Sequence, residues 1–131
     1  MKLLLDTHII VWCAAEPDNL IPTVKNELNN DSNELWFSPI SVWEILLLAE
    51  KGRLSLGPDI EKAVRDIFNT IPFKEAAINS EVAIQSRTVN LPHQNPADRF
   101  LAATAAVYDL TLVTADTTII DANAVAVLPA V

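Results

Sequence analysis

The chain has 131 residues, half of them apolar, 20% charged, with only two glycines. That length suits a single domain over residues 1–131, and the composition excludes a disordered, fibrous or low-complexity chain. A net charge of −8 argues against a surface that binds nucleic acid through basic residues alone, because phosphate partners normally leave a basic excess.

No stretch reaches the roughly 20 apolar residues of a membrane span. Lys2 and three leucines before Asp6 are too short for a signal-peptide core, so a cytoplasmic location is expected. Cys13 is the sole cysteine and cannot form an internal disulfide, which fits a reducing compartment.

Lys2–Leu5 reads as an apolar strand that ends at Asp6, followed by a short helix through His8, Trp12 and Ala15. Pro22–Asn29 reads as a helix with proline in its first turn, and Glu34–Phe37 as a second short strand. Pro39–Lys51 is a helix stopped by Gly52. After the Gly57–Pro58 break, Asp59–Asn69 carries Ile60, Val64, Ile67 and Phe68 on one helical stripe. Thr70–Phe73 is a brief strand, and Asn79–Asn90 a helix ended by Leu91–Pro92. Pro96–Tyr108 is an alanine-rich helix, and Leu110–Thr114 and Ala124–Leu128 suit buried strands. The alternation predicts an α/β domain with a mainly parallel sheet and helices on both faces.

Four acids stand where strands give way to helices. Asp6 ends the first strand, and Asp116 follows the Leu112–Thr114 strand. Glu44 and Asp98 lie early in the helices opened near Pro39 and Pro96. In a parallel α/β sheet the carboxyl ends of the strands share one edge, where ligand sites collect. Each acid alone is accounted for as a helix cap. Asp6 and Asp116 suit N-cap positions, Ser41–Glu44 fits a capping box, and Asn95–Asp98 is a close variant. Together they imply more. Several anions on one edge repel, and a bound cation relieves that repulsion. Oxygen donors alone suit Mg²⁺ or Mn²⁺ rather than zinc. Two such ions would halve the net charge of −8 and supply the positive field that phosphate needs.

The segments LLLDTH at 3–8, SVWEI at 41–45, PADRFLAATA at 96–105 and LVTAD at 112–116 resemble the four acidic motifs of the PIN-domain family, in its VapC-type toxin branch. They occur in that family's order over essentially the whole chain. The resemblance implies a three-layer fold with a five-stranded parallel sheet. It also implies divalent metal held by Asp6, Glu44, Asp98 and Asp116, and endonucleolytic cleavage of RNA. The biological role implied is the toxin of a toxin–antitoxin pair, with a VapB-like antitoxin as partner and a homodimer as the assembly. Two positions depart from the pattern: Leu48, where relatives often carry Lys or Arg, and Asn95, where many carry Asp. Neither is one of the four acids.

Metal-assisted hydrolysis then assigns Asp6 as the central ligand, because a strand end is rigid, with Asp98 sharing its metal. Glu44 and Asp116 would bind through water or hold a second ion. Thr114 is a candidate to hydrogen-bond a ligand carboxylate from behind, or equally a plain strand residue. Arg99 is a candidate to neutralise the acids or meet RNA phosphate, with a structural salt bridge as the alternative. His8 reads as a packing or capping residue, His93 as a solvated loop residue and Cys13 as an inert core residue. Trp12, Trp36 and Trp43 read as core or dimer contacts rather than base-stacking platforms, and Lys51, Arg53 and Arg87 as solubilising charges with a phosphate path as the alternative.

Two other function classes compete. A receiver or phosphotransfer domain would want paired aspartates after the first strand and a lysine after the last. Thr7 follows Asp6, and no lysine lies beyond Lys74. An Asp-x-Asp phosphatase is excluded by His8. A catalytically silent PIN-fold interaction module would not need all four acids intact.

Overall fold

The computed structural model describes residues 1–131. Its elements in chain order are β1 (Lys2–Leu5), α1 (Thr7–Ala15), a 3₁₀ turn (Pro17–Asn19), α2 (Pro22–Leu28), β2 (Glu34–Phe37), α3 (Pro39–Glu50) and α4 (Ile60–Thr70). They continue as β3 (Phe73–Glu75), α5 (Ser80–Thr88), α6 (Pro96–Tyr108), β4 (Thr111–Thr114), α7 (Thr117–Ala122) and β5 (Val127–Pro129). The strands form one five-stranded sheet in the order β3-β2-β1-β4-β5, and every neighbouring pair is parallel.

Alternation along β1 divides the core between the two faces of this sheet. Leu3 and Leu5 point to one side, where Ile9 and Ile10 of α1, Val24 of α2, Ile45 of α3 and Val64 of α4 join them. Leu4 points to the other side and meets Leu101, Ala102 and Ala105 of α6, with Leu112 of β4 and Ile119 of α7. Both faces of β1 are therefore covered, which is why it reads as an unbroken apolar run. The small residues of α6 let α5 approach closely. This is the three-layer α/β arrangement expected from the sequence. No helix is long and apolar enough to cross a membrane.

Two strands lie further along the chain than expected. The strand placed at Thr70–Phe73 forms at Phe73–Glu75, in register with Leu35–Phe37 of β2. α4 runs on through Thr70, and Pro72 has no N–H to give a ladder. The strand placed at Ala124–Leu128 forms at Val127–Pro129. α7 ends in a left-handed residue, Asn123 (φ 53°), and the chain needs Ala124–Ala126 to turn back to the sheet. Pro129 is tolerated because β5 is an edge strand.

The strand order places the site. From β1 the chain moves outward through β2 to β3, then crosses back to lay β4 on the other side of β1. The order reverses between β1 and β4, and such a reversal opens a crevice beyond the carboxyl ends of the two strands.

Candidate metal centre

Asp6 and Asp116 stand at that crevice. The β1–β4 register aligns Leu5 with Val113, so one step further Asp6 lies beside Thr114. The Asp6 N–H extends the ladder to the Val113 carbonyl (3.0 Å), and its own carbonyl accepts from the Ile10 N–H to start α1 (3.1 Å). The Thr114 hydroxyl donates to Asp6 Oδ2 at 2.6 Å and accepts from the Asp116 N–H at 3.1 Å. Asp6 is buried, yet its carboxylate caps no amide of α1. Asp116 does cap its helix: its Oδ1 accepts from the N–H groups of Thr118 (2.8 Å) and Ile119 (3.4 Å).

Glu44 comes to the crevice on α3. The capping box expected from Ser41 does not form. Pro39 occupies the first helical position, so Ser38 is the cap and accepts from the Ile40 N–H at 3.1 Å. Ser41 is instead buried inside the helix and accepts the Thr7 hydroxyl at 3.0 Å. That bond fastens the start of α1 to α3 and carries Glu44, one turn on, towards Asp6. Asn95 caps α6 through the Asp98 N–H (3.2 Å), as the sequence suggests. The Asp98 carboxylate does not return to Asn95; its Oδ2 lies 3.5 Å from His93 Nε2. Asp6, Glu44, Asp98 and Asp116 thus line one cavity of about 410 Å³, together with His8, Trp12, Asn95 and Ala115.

Burial and crowding disfavour the charged forms here. Burial pushes the Asp98 carboxyl up to about 6; the Asp6, Asp116 and Glu44 charges add to this, and His93 opposes it. Burial also raises Asp6, with Glu44 adding, while the Thr114 hydroxyl, His8 and the Thr7 N–H oppose. No lysine or arginine lines the cavity. The ion pairs that lysine and arginine make lie elsewhere, at Lys25–Asp18, Lys62–Asp66, Arg65–Glu61 and Lys74–Glu34. Crowded carboxylate oxygens with no protein cation among them fit a hard divalent ion. One ligand atom each from His93, Asp98 and Asp116 lies within 4.8 Å of the other two. Asp98 and Asp116, with His93, are a candidate divalent-cation site, and Asp6 and Glu44 line the same cavity outside that group.

Three other residues differ from expectation. Arg99 was expected behind the acids, but its guanidinium touches no carboxylate. It is buried and donates to five backbone carbonyls: Ser86 (2.7 Å), Arg87 (3.2 Å), Val89 (2.9 Å), Leu91 (3.3 Å) and His93 (3.1 Å). It ties down the segment that ends α5 and carries His93. His93 is not a solvated loop residue: it abuts Asp98, and its Nδ1 is buried without a partner. Of the core and dimer roles read for Trp43, the core one fails: it stands 49% exposed on α3. Sequence reasoning also passed over His8 and Trp12 as cavity walls. Cys13 is half-buried, and burial pushes its thiol up to about 11, consistent with an inert group.

Known proteins resemble this chain in sequence and fold. Residues 3–125 match the PIN domain family. Ribonuclease VapC22 of Mycobacterium tuberculosis is 31% identical over 117 residues, covering 87% of this chain and 86% of that protein. Among solved structures, a chain of VapBC2 from Rickettsia felis, bound to a DNA fragment from its promoter, aligns with a TM-score of 0.71 at 19% identity. That alignment covers 98% of both chains. A chain of VapBC-1 from nontypeable Haemophilus influenzae aligns with a TM-score of 0.63 at 20% identity, again over 98% of both. At those identities the structures speak to the fold. The family match and the VapC22 relationship speak to descent, and the chain belongs to the PIN domain family, among its VapC-type members.

Proposed function

We propose that the chain is a divalent-metal-dependent endoribonuclease that hydrolyses RNA phosphodiester bonds, and that it is the toxin of a toxin–antitoxin pair in the cytoplasm. The observation that carries this reading is the cavity itself. Four acids separated by up to 110 residues of sequence converge on it, and no lysine or arginine neutralises them. A relative named as a ribonuclease supports the same chemistry. All four acids are intact, which disfavours a silent interaction module.

Asp6, Glu44, Asp98 and Asp116 would hold Mg²⁺ or Mn²⁺. When bound, such an ion polarises a non-bridging phosphate oxygen and lowers the pKa of the attacking water. The residues prepare this chemistry in distinct ways. Thr114 holds Asp6 Oδ2, which fixes the carboxylate and leaves Oδ1 directed elsewhere. Asp98 is raised to about 6 and Asp6 is raised by its burial, so both hold a proton more readily without a cation and their ionisation is coupled to metal. Arg99, through the His93 carbonyl, keeps His93 against Asp98.

Several of the similar solved structures are VapBC complexes, which supports a VapB-like antitoxin as the protein partner here. An anionic cavity favours a basic side chain from it. A homodimer is the proposed assembly. The test is direct. Protein freed of any partner should cleave RNA with Mg²⁺ or Mn²⁺ and stop in EDTA. Cleavage that persists undiminished in EDTA, or no cleavage of any RNA with either metal, overturns the reading.

A further inference from the structure

A second cavity, of about 240 Å³, adjoins the acid cavity along α3 and shares Glu44 and Asn95 with it. Trp43, Leu47, Lys51 and Arg53 line its other side. Its two cations differ from most in the chain. Lys25, Lys62, Arg65 and Lys74 each face a carboxylate at 2.8 to 3.8 Å. Arg99 is buried among carbonyls. Lys51 and Arg53 are exposed and pair with no carboxylate, although the chain carries 17 acids. Lys2 and Arg87 are also without a carboxylate partner, but neither lines these cavities. Trp43 adds a half-exposed indole to the same wall.

We infer that this second cavity is a subsite for single-stranded RNA, with Lys51 and Arg53 meeting backbone phosphates and Trp43 offering a stacking face to a base. The inference rests on the ribonuclease reading above. It follows from continuity: a polynucleotide whose phosphodiester lies over the acids must continue into the neighbouring groove, and this groove opens directly from Glu44 and Asn95. Cations with no internal partner lose little when they bind phosphate, and each phosphate contact releases counterions. An aromatic face stacks any unpaired base, whereas paired bases offer no free face. An acidic peptide would also meet the cations, but nothing requires it to reach the acids next door. The subsite further accounts for how a chain of net charge −8 holds a polyanion: two of its four exposed cations without a carboxylate partner line the groove beside the acids.

Steady-state cleavage of single-stranded RNA by wild type, Lys51→Ala/Arg53→Ala, Trp43→Ala and Lys62→Ala/Arg65→Ala tests this. The last variant removes the same charge from α4, where both cations are already paired. Lys51→Ala/Arg53→Ala should raise KM at least about ten-fold with kcat within about two-fold, the pattern of lost binding rather than lost chemistry. Its dependence of log kcat/KM on log salt should be shallower by about 1.4, at about 0.7 per single-strand phosphate contact. Trp43→Ala should raise KM about five-fold or more, and Trp43→Phe should recover most of that loss. The α4 variant should match wild type in KM and in salt slope. Unchanged melting temperatures exclude misfolding as the cause. If an active Lys51→Ala/Arg53→Ala enzyme keeps the wild-type KM and salt slope, the subsite is wrong while the ribonuclease reading stands. The same holds if its only loss is affinity for an acidic peptide, since the groove then docks protein. If wild type neither binds nor cleaves RNA, the ribonuclease reading itself falls.

Discussion

Two strand-to-helix junctions lie side by side in this sheet, and both place an aspartate at the same position. At β4–α7, Asp116 accepts two amide hydrogen bonds at the start of its helix, is only partly buried, and has a structural reason to be there. At β1–α1, Asp6 makes no cap bond of the kind Asp116 makes, is buried, and is held by one hydroxyl from the neighbouring strand, with the Thr7 N–H beside it. A cap stabilises a helix by about 1 kcal/mol, which is reason enough for an acid at its N-terminus. A buried carboxylate without a cap or a cation partner is a net cost to the fold unless something binds it. The difference separates an acid with a use in its own helix from one without it, although both line the same cavity.

Substitution at the uncapped junction should give the largest effect. Asp6→Asn removes the charge, keeps the shape and can still accept from Thr114. Cleavage of RNA is expected to fall more than about 100-fold, beyond the roughly 10- to 100-fold typical of losing a group that only orients a ligand. Metal-free stability should not fall, because no cap is lost. Thr114→Val should fall in that lower range, since it frees the Asp6 carboxylate without removing it. If Asp6→Asn cleaves at the wild-type rate, the two junctions are alike and the contrast fails.

An intermediate effect concerns pH. Asp98 faces both junctions, and burial and the neighbouring charges push its carboxyl up to about 6 in the metal-free protein from an ordinary 3.8. A carboxyl raised on folding binds protons more tightly in the native state. Its contribution to stability is therefore complete below about pH 4 and is lost as pH rises through about 6. The loss should be on the order of 1–3 kcal/mol, because the site is mostly buried. Thermal melts in EDTA between pH 4 and 7 should show this decline for wild type and a flatter profile for Asp98→Asn. Divalent metal should restore stability at pH 7 to wild type more than to the variant. Parallel profiles for the two proteins would mean that Asp98 is not crowded by its neighbours.

What the sequence disclosed, and what it withheld, follows the same physical divisions. β1, β2 and α6 were legible at their observed ends because an apolar run or an alanine-rich stretch after Asn-Pro admits few alternatives. The two edge strands were displaced because an edge is covered less completely, so its apolar pattern is weak, and a proline or a left-handed residue decides where pairing begins. The four acids were legible because each interrupts an apolar pattern at a strand or helix end. The cap of α3 was not, because two serines compete and Pro39 decides between them. The direction of Trp43 was hidden because α3 is apolar nearly all round and presents no single stripe. The placement of His93 depends on Arg99 drawing five carbonyls towards one guanidinium. An arginine buried without a carboxylate leaves no spacing by which a sequence could show it.

The smallest effect belongs to the capped junction, and it separates the two uses of Asp116. Asp116→Ala removes both the charge and the bonds to the Thr118 and Ile119 amides, and should lower stability by about 1 kcal/mol. Asp116→Asn removes only the charge, because an asparagine oxygen caps about as well as an aspartate oxygen. Its stability should therefore stay near wild type in EDTA, and relief of repulsion on Asp98 can only help. With metal present the order changes. Asn is a poorer donor to a hard cation than a carboxylate, so Asp116→Asn should gain less from Mg²⁺ or Mn²⁺ than wild type and should cleave RNA more slowly. The measurement is a pair of melting curves for each protein, with EDTA and with metal at matched ionic strength. A metal response as large in Asp116→Asn as in wild type would make Asp116 a cap alone, and the cation would then belong to Asp6, Asp98 and their remaining neighbours.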